Sequence, residues 1–348
     1  MVRGLVAIPS TSRQEGEAVE WLVARMAERG FRASVDDAGN AVGDIGDGPT
    51  HVVLLGHIDT VPGEIAVRIE DGELIGRGAV DAKGPLAAFV AAATKPVAGV
   101  RVTVVGAVEE ESPTSAGARH RATLAAPDWC VIGEPSGWDA MTVGYKGRLA
   151  VHLALSRPAR HGAAPGRTCS EEALALWSRA RAAAERRASD TDGFAKLDCR
   201  LESISGGTSD GMVERAELRI GYRIPPGMTT AELETELRAI AATHEGDAAI
   251  AIERIGAEEP ARTSRTTPLA RAFVGAIADA GGKATFKVKS GTSDMNILAP
   301  AWRCPMVAYG PGDSRYDHTP TERLSLSEYA RAIRVLESVL ARARKPII

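Results

Sequence analysis

An apolar run at residues 52–55 leads into GHIDTVP (56–62), which sets an imidazole, His57, two positions ahead of a carboxylate, Asp59. On an extended chain those side chains point the same way. Asp59 can then accept the ring N–H that His57 does not offer to a metal, which fixes the tautomer and raises ligand basicity. Alone, the pair fits a satisfied structural histidine equally well. Asp81, in GRGAVDAKGP (76–85), stands between a strand-like edge and a helix start. Open α/β folds place site residues there, and a helix N-cap reads the same way. Glu109, Glu110 and Glu111 follow the β-branched run 100–108, and Glu134 closes the apolar run 129–132. Three successive acids are either a solvated run or a set in which one ligates a metal while its neighbour faces substrate. His318 lies in a turn before the last helix.

Taken together, two imidazoles and three carboxylates at strand ends can hold two divalent ions about 3.5–4 Å apart, with one carboxylate bridging. Two such ions carry four positive charges against the three negatives of Asp81, Glu111 and Glu134. A hydroxide would complete neutrality, and generating one near neutral pH is what such a centre does. None of these motifs contains cysteine, so the nitrogen and oxygen donor set suits zinc, cobalt or manganese.

Alternating elements must position these residues. Ser12 and Glu15 have the spacing of a capping box, followed by helical apolar spacing at Val19, Leu22, Val23 and Met26. Strands are expected at 32–35, 52–55, 100–108 and 129–132, a Gly- and Asp-rich turn at 39–48, and a helix at 84–93 that opens with Pro85. The character then changes. Residues 149–155 and 216–224 alternate polar and apolar, 248–255 is strand-like, and 171–187 and 229–243 are helical. This β-α-β-β-α-β-like order reads as a small α+β domain. The α/β style returns with helix 269–280, strands 284–288 and 306–309, and helix 327–344. The expected organisation is a three-layer α/β domain (1–146 and 253–348) interrupted by an inserted ferredoxin-like α+β domain (147–252).

Bulk properties narrow the function. The 348 residues are 44% hydrophobic and 25% charged, with a net charge of −3, which disfavours an electrostatic nucleic-acid binder. No stretch approaches the roughly 20 apolar residues that span a bilayer, and the N-terminus lacks a leader pattern. Cys130, Cys169, Cys199 and Cys304 form no CxxC pair and read as structural thiols, so a cytoplasmic setting is expected.

Over nearly its whole length the chain resembles the M20 family of metallopeptidases and deacylases. GHIDTVP, GRGAVDAKGP, VEEESPTSAGAR (108–119), GEP (133–135) and HTPTE (318–322) carry the likeness. The resemblance implies that His57 and Glu134 hold one metal and Glu111 and His318 the other. Asp81 would bridge them, Asp59 would support His57, and Glu110 would be the general base. One residue is inserted before Gly117 relative to the family pattern, so Glu109 and Glu110 are the alternative pair. Glu110 and Glu111 are preferred because Glu109 then matches the acid that usually precedes them. The inserted domain matches the family's lid and dimerisation domain, which implies a homodimer. There His161, in RHGAAP (160–165), matches a histidine that stabilises the oxyanion across the dimer. Arg223, in GYRIPP (221–226), matches an arginine that grips a substrate carboxylate, whereas Asp210 stands where the family has asparagine. The family's first helix starts ahead of Ile8-Pro9-Ser10; only seven residues precede it here, so a frayed first helix is expected.

Within the family, VEEESPTSAGAR, KSGTSDMN (289–296) and YGPGDSRYDHTP (309–320) resemble hydrolases that release lysine or ornithine from an acidic amino-group carrier protein. That likeness makes Lys289 and Gly291 candidate substrate-binding residues and implies two divalent ions, zinc or cobalt. The alternative is a small-molecule deacylase of the acetylornithine or succinyl-diaminopimelate type. A non-catalytic binding protein on this scaffold would have lost ligands or the base, and none is missing.

Overall fold

The β-branched apolar runs form the middle of a mixed sheet. In the computed structural model, which describes residues 1–188, 193–208 and 211–343, the chain divides into two units. One comprises Met1–Gly144, Arg262–Val288 and the chain from Ser293 on; the other comprises Tyr145–Ala261 and Lys289–Thr292. Across the large sheet the strands run Arg32–Val35, Ala41–Ile45, Val100–Ala107, Thr50–His57, Trp129–Gly133, Met306–Ala308, Ala140–Tyr145 and Ala261–Arg262. Thr285–Lys289 also pairs with Ala140–Tyr145. Val100–Ala107, Thr50–His57, Trp129–Gly133 and Met306–Ala308 are mutually parallel, so their carboxyl ends share one edge. Val52 and Leu54 join a core with Leu22, Leu86 and Phe89, while Val53 and Leu55, on the opposite face, are just as buried. A strand covered on both faces needs an apolar side chain at every position, which accounts for its unbroken run.

Gly56 is in register with Gly106 on one side and Gly133 on the other. This row lets helix Lys83–Ala93 settle close to the strand ends. A Cβ on Gly56 would lie 3.3 Å from Leu86 Cβ, and one on Gly133 would lie 2.9 Å from both Gly56 Cα and Phe89. The helix carries Pro85 in its first turn, and every residue except Ala91 is buried. Val335 and Leu336 of helix Leu326–Arg342 belong to the same core.

The second unit follows the expected order: strand Gly147–Pro158, helix Cys169–Ala188, strands Asp198–Thr208 and Val213–Ile224, helix Thr230–Ala242, strand Ala249–Glu258. Its strands are antiparallel in the spatial order Asp198–Thr208, Val213–Ile224, Gly147–Pro158, Ala249–Glu258, a ferredoxin-like arrangement. Leu149, Val151, Leu153, Leu218 and Ile220 pack with Leu176 and Leu233 in a separate core. Thr229 and Glu232 form a capping box on the second helix.

Several local expectations differ. Ala41–Ile45 is a strand inside the segment that composition marks as a turn, because pairing with Val100–Ala107 supplies its hydrogen bonds. Helices Ala116–Ala122 and Met295–Trp302 are too short for a periodic signal. The last helix ends at Arg342, and Arg344 lies outside the described residues. Ser12 and Glu15 do not form a capping box: Glu15 is the N-cap of helix Gly16–Ala27 without a side-chain bond to it. Both side chains are engaged elsewhere, as described below. Among the described residues no helix is long and apolar enough to cross a membrane.

Candidate metal centre

Parallel strands deliver the acidic and imidazole side chains to one edge. His57 ends Thr50–His57, the acidic run follows Val100–Ala107, and Glu134 follows Trp129–Gly133. Asp81 reaches this edge from the turn before helix Lys83–Ala93. Its backbone N–H and that of Val80 donate to Glu322 Oε1 at 3.0 and 2.9 Å, and the other Glu322 oxygen accepts from Arg77 at 2.8 Å. Glu322 is fully buried. One motif, HTPTE, thus anchors Asp81's backbone through Glu322 and meets its carboxylate through His318.

His57 Nε2 lies 3.1 Å from Asp81 Oδ1, while His318 Nε2 lies 2.9 Å from Asp81 Oδ2 and 2.7 Å from Glu111 Oε1. Asp81 therefore presents one oxygen to each imidazole. Among the described residues, His57, Asp81 and Glu111 offer donor atoms that all lie within 4.8 Å of one another. His57 Nδ1 hydrogen-bonds the main-chain carbonyl of Asp59 at 2.9 Å and lies 3.4 Å from Asp59 Oδ1. With Nδ1 as the donor, Nε2 is left to face Asp81.

The electrostatics fit a cation. Burial alone would lower the pKa of His57, but bonds with Asp59 and Asp81 push it well above the usual imidazole range. Bonds with Asp81 and Glu111 push His318 up to about 10. Burial works against ionisation of Asp81, yet His318 and His57 hold its carboxyl well below the usual range. Both Nε2 atoms face carboxylate oxygens across short gaps, where a divalent ion would take the place of a proton.

Asp59 is fully buried, and its carboxylate is committed to the backbone. It accepts the N–H of Glu110 at 3.1 Å, the N–H of Glu111 at 2.9 Å, and the Ser12 hydroxyl at 2.7 Å. Burial pushes the Glu110 carboxyl well up; His57 opposes this, and Asp294, Glu134 and Glu111 reinforce it. Glu109 turns away into its own loop. Its carboxylate accepts from the Thr114 and Ser112 hydroxyls and lies 3.6 Å from Arg13 Nε.

Of the five ligand candidates, the structure brings together His57, Asp81, Glu111 and His318. Glu134 is buried at the adjacent strand end, outside the tightest cluster, with its charge acting on Glu110 and Asp294. The remaining candidates belong to the second unit. His161 is in an exposed turn where its Nδ1 accepts from the Ala163 N–H at 3.2 Å. Arg223 is half-buried, with one guanidinium nitrogen buried and unpartnered among the described residues. Lys289 is half-buried and its carbonyl accepts from the Lys146 N–H, while Gly291 is exposed in open space. Asp210 lies outside the described residues.

Sequence reasoning passed over three buried acids. Glu322 and Glu15 act through backbone N–H groups distant in sequence, which no short-range spacing reveals. Asp294, at the start of helix Met295–Trp302, reads as an N-cap but makes no side-chain cap bond, and its Oδ1 is unpartnered among the described residues. Burial, then Asp59 and Glu134 against the opposing His57, pushes its carboxyl up to about 7.

An open α/β sheet with imidazoles and carboxylates clustered at its carboxyl edge defines a hydrolase of the metallopeptidase type. Residues 53–342 match the model of peptidase family M20/M25/M40. The chain belongs to this family. It is 43% identical to a [LysW]-lysine hydrolase of Deinococcus radiodurans, over 98% of this chain and 96% of the relative. It is 40% identical to a putative [LysW]-lysine/[LysW]-ornithine hydrolase of Thermococcus kodakarensis, over 97% and 90%. The M20 family metallo-carboxypeptidase of Sulfolobus solfataricus has the same fold, with a TM-score of 0.80 over 98% of each chain at 18% identity.

Proposed function

We propose that the chain is a metal-dependent amide hydrolase that releases lysine, ornithine or both from the side chain of a carrier protein's C-terminal glutamate, in lysine and arginine biosynthesis. The observation that carries this reading is the 43% identity, over nearly the full length of both chains, to a relative named [LysW]-lysine hydrolase. The acidic carrier would be its protein substrate, in the cytoplasm.

In this reading His57 and Glu134 would hold one divalent ion and Glu111 and His318 the other, with Asp81 shared between them; zinc or cobalt would suit these donors. When bound, the ions supply Lewis acidity toward the amide carbonyl and acidify the attacking water. Glu110 takes the proton released as the water oxygen adds to the amide carbon. It returns that proton to the α-amine nitrogen as the C–N bond breaks, a task suited to a carboxyl held above its usual range. Asp59 keeps Glu110, Glu111 and the His57 ring in place. The orphaned guanidinium nitrogen of Arg223 supports a role in gripping the α-carboxylate of the leaving amino acid. The likeness of their loop makes Lys289 and Gly291 further substrate-binding candidates. The inserted unit serves as lid and dimerisation domain, with His161 acting across the dimer, and sedimentation equilibrium tests that dimer.

The deciding experiment is a release assay with carrier-linked lysine, carrier-linked ornithine, N-acetylornithine and succinyl-diaminopimelate. Free lysine or ornithine should appear from the carrier. Turnover of the small substrates alone would overturn the carrier reading and leave a deacylase.

A further inference from the structure

The acidic run turns inward because its backbone is gripped by two buried carboxylates. Asp59 takes the N–H groups of Glu110 and Glu111. The preceding N–H, that of Glu109, donates to Glu15 Oε1 at 3.1 Å, although 94 residues separate the two. Glu15 is only 6% exposed. An acid is seldom buried unless its bonds compensate, and nothing in helix Gly16–Ala27 uses the Glu15 side chain.

Glu109, whose N–H Glu15 accepts, is in the left-handed region at φ 62°, as is Arg13 at φ 72°. Non-glycine residues adopt it only where the surroundings impose it. Glu109 is the hinge between strand Val100–Ala107 and the pair Glu110–Glu111, so its backbone angle decides where those carboxylates point. Its own side chain is fastened by Arg13 and by the Thr114 hydroxyl. The N-terminal segment continues this bracing, since Ser10 donates to the Ile58 carbonyl at 2.7 Å and Ser12 to Asp59 at 2.7 Å.

We propose that Glu15 is a positioning residue for the base Glu110 and the ligand Glu111, acting through the left-handed turn at Glu109. The proposal rests on the roles assigned above to Glu110 and Glu111, and not on which acyl group the enzyme removes. Glu15→Ala should lower kcat on the order of tenfold to a hundredfold with KM within about threefold, the size of effect expected from misplacing a reacting group. Glu15→Gln, whose amide carbonyl still accepts the Glu109 N–H, should recover kcat to within about threefold of wild type. Stepwise addition of Co²⁺ to chelator-treated protein, followed by visible absorption, should show the weaker of two binding steps loosened about tenfold in Glu15→Ala, about 1.4 kcal/mol. That readout needs no substrate. If the wild type cleaves only small N-acyl amino acids, kcat is compared on those and the carrier reading fails by itself.

Wild-type kcat and cobalt binding in Glu15→Ala, or a loss that Glu15→Gln does not relieve, would overturn the proposal. Should Glu15→Ala not fold, Arg13→Ala and Thr114→Val loosen the same turn from its exposed side. Each should then cost about threefold in kcat, and two silent variants would refute the idea.

Discussion

At Asp81, two imidazoles converge on one carboxylate. His57 and His318 both carry raised pKa values there, so the protein binds protons where a cation would sit. Metal binding at pH 7 should therefore release about two protons. Calorimetry in two buffers of different ionisation enthalpy measures the number, and zero release would contradict the ligand assignment. Stability follows with a definite sign. A pKa raised on folding stabilises fully below the unfolded imidazole value, about 6.5. For His318 that contribution disappears as pH climbs through about 10. Melting temperatures of chelator-treated protein should accordingly fall between pH 6.5 and 10, and fall less in His318→Gln. Glu110 tests the acid-base role: Glu110→Gln should retain both metals but lose roughly 10²–10⁴-fold in turnover. Loss of a metal in Glu110→Gln but not in Glu111→Gln would shift the acidic run by one residue. The geometry favours the present register, because Glu109 points to Thr114 and Arg13 while Glu111 meets His318.

Elements matter through their ends. Gly56 and Gly133 sit one residue before His57 and Glu134, Gly106 stands in register beside Gly56, and the buried helix behind Asp81 rests against this row. A methyl on Gly133 would press on Gly56 and Phe89 at 2.9 Å. Gly133→Ala should thus cost about 1–3 kcal/mol in urea unfolding and weaken metal binding, by lifting helix Lys83–Ala93 from the strand ends. An unchanged midpoint would show that the sheet yields freely. The main strands and helices were legible because burial on both faces demands unbroken apolar runs and an α+β sheet demands alternation. Ala41–Ile45, Ala116–Ala122 and Met295–Trp302 were not, being short elements that owe their form to neighbours in space.

Over the whole molecule, each unit is built on its own large core. The larger one backs the strands that end at the candidate metal centre, and the second unit is stapled by Arg157, whose guanidinium joins Glu172 and Glu214 at 2.8 Å each. Arg157→Ala would leave buried Glu172 short of a partner and should cost about 3–5 kcal/mol. Calorimetry should record this as an earlier transition of the second unit, with cobalt binding by the first unit retained. The amino-acid sequence by itself determined the α/β and α+β styles and most of the metal-facing residue types, because strand ends followed by acids or imidazoles are local features. Only the tertiary structure decided which oxygen of Asp81 meets which histidine, that Glu322 and Glu15 hold backbones far along the chain, and that the Ser12–Glu15 pair serves the site and not a helix cap. Those outcomes depend on parallel strands bringing distant segments to one edge, and no spacing along the chain encodes that distance.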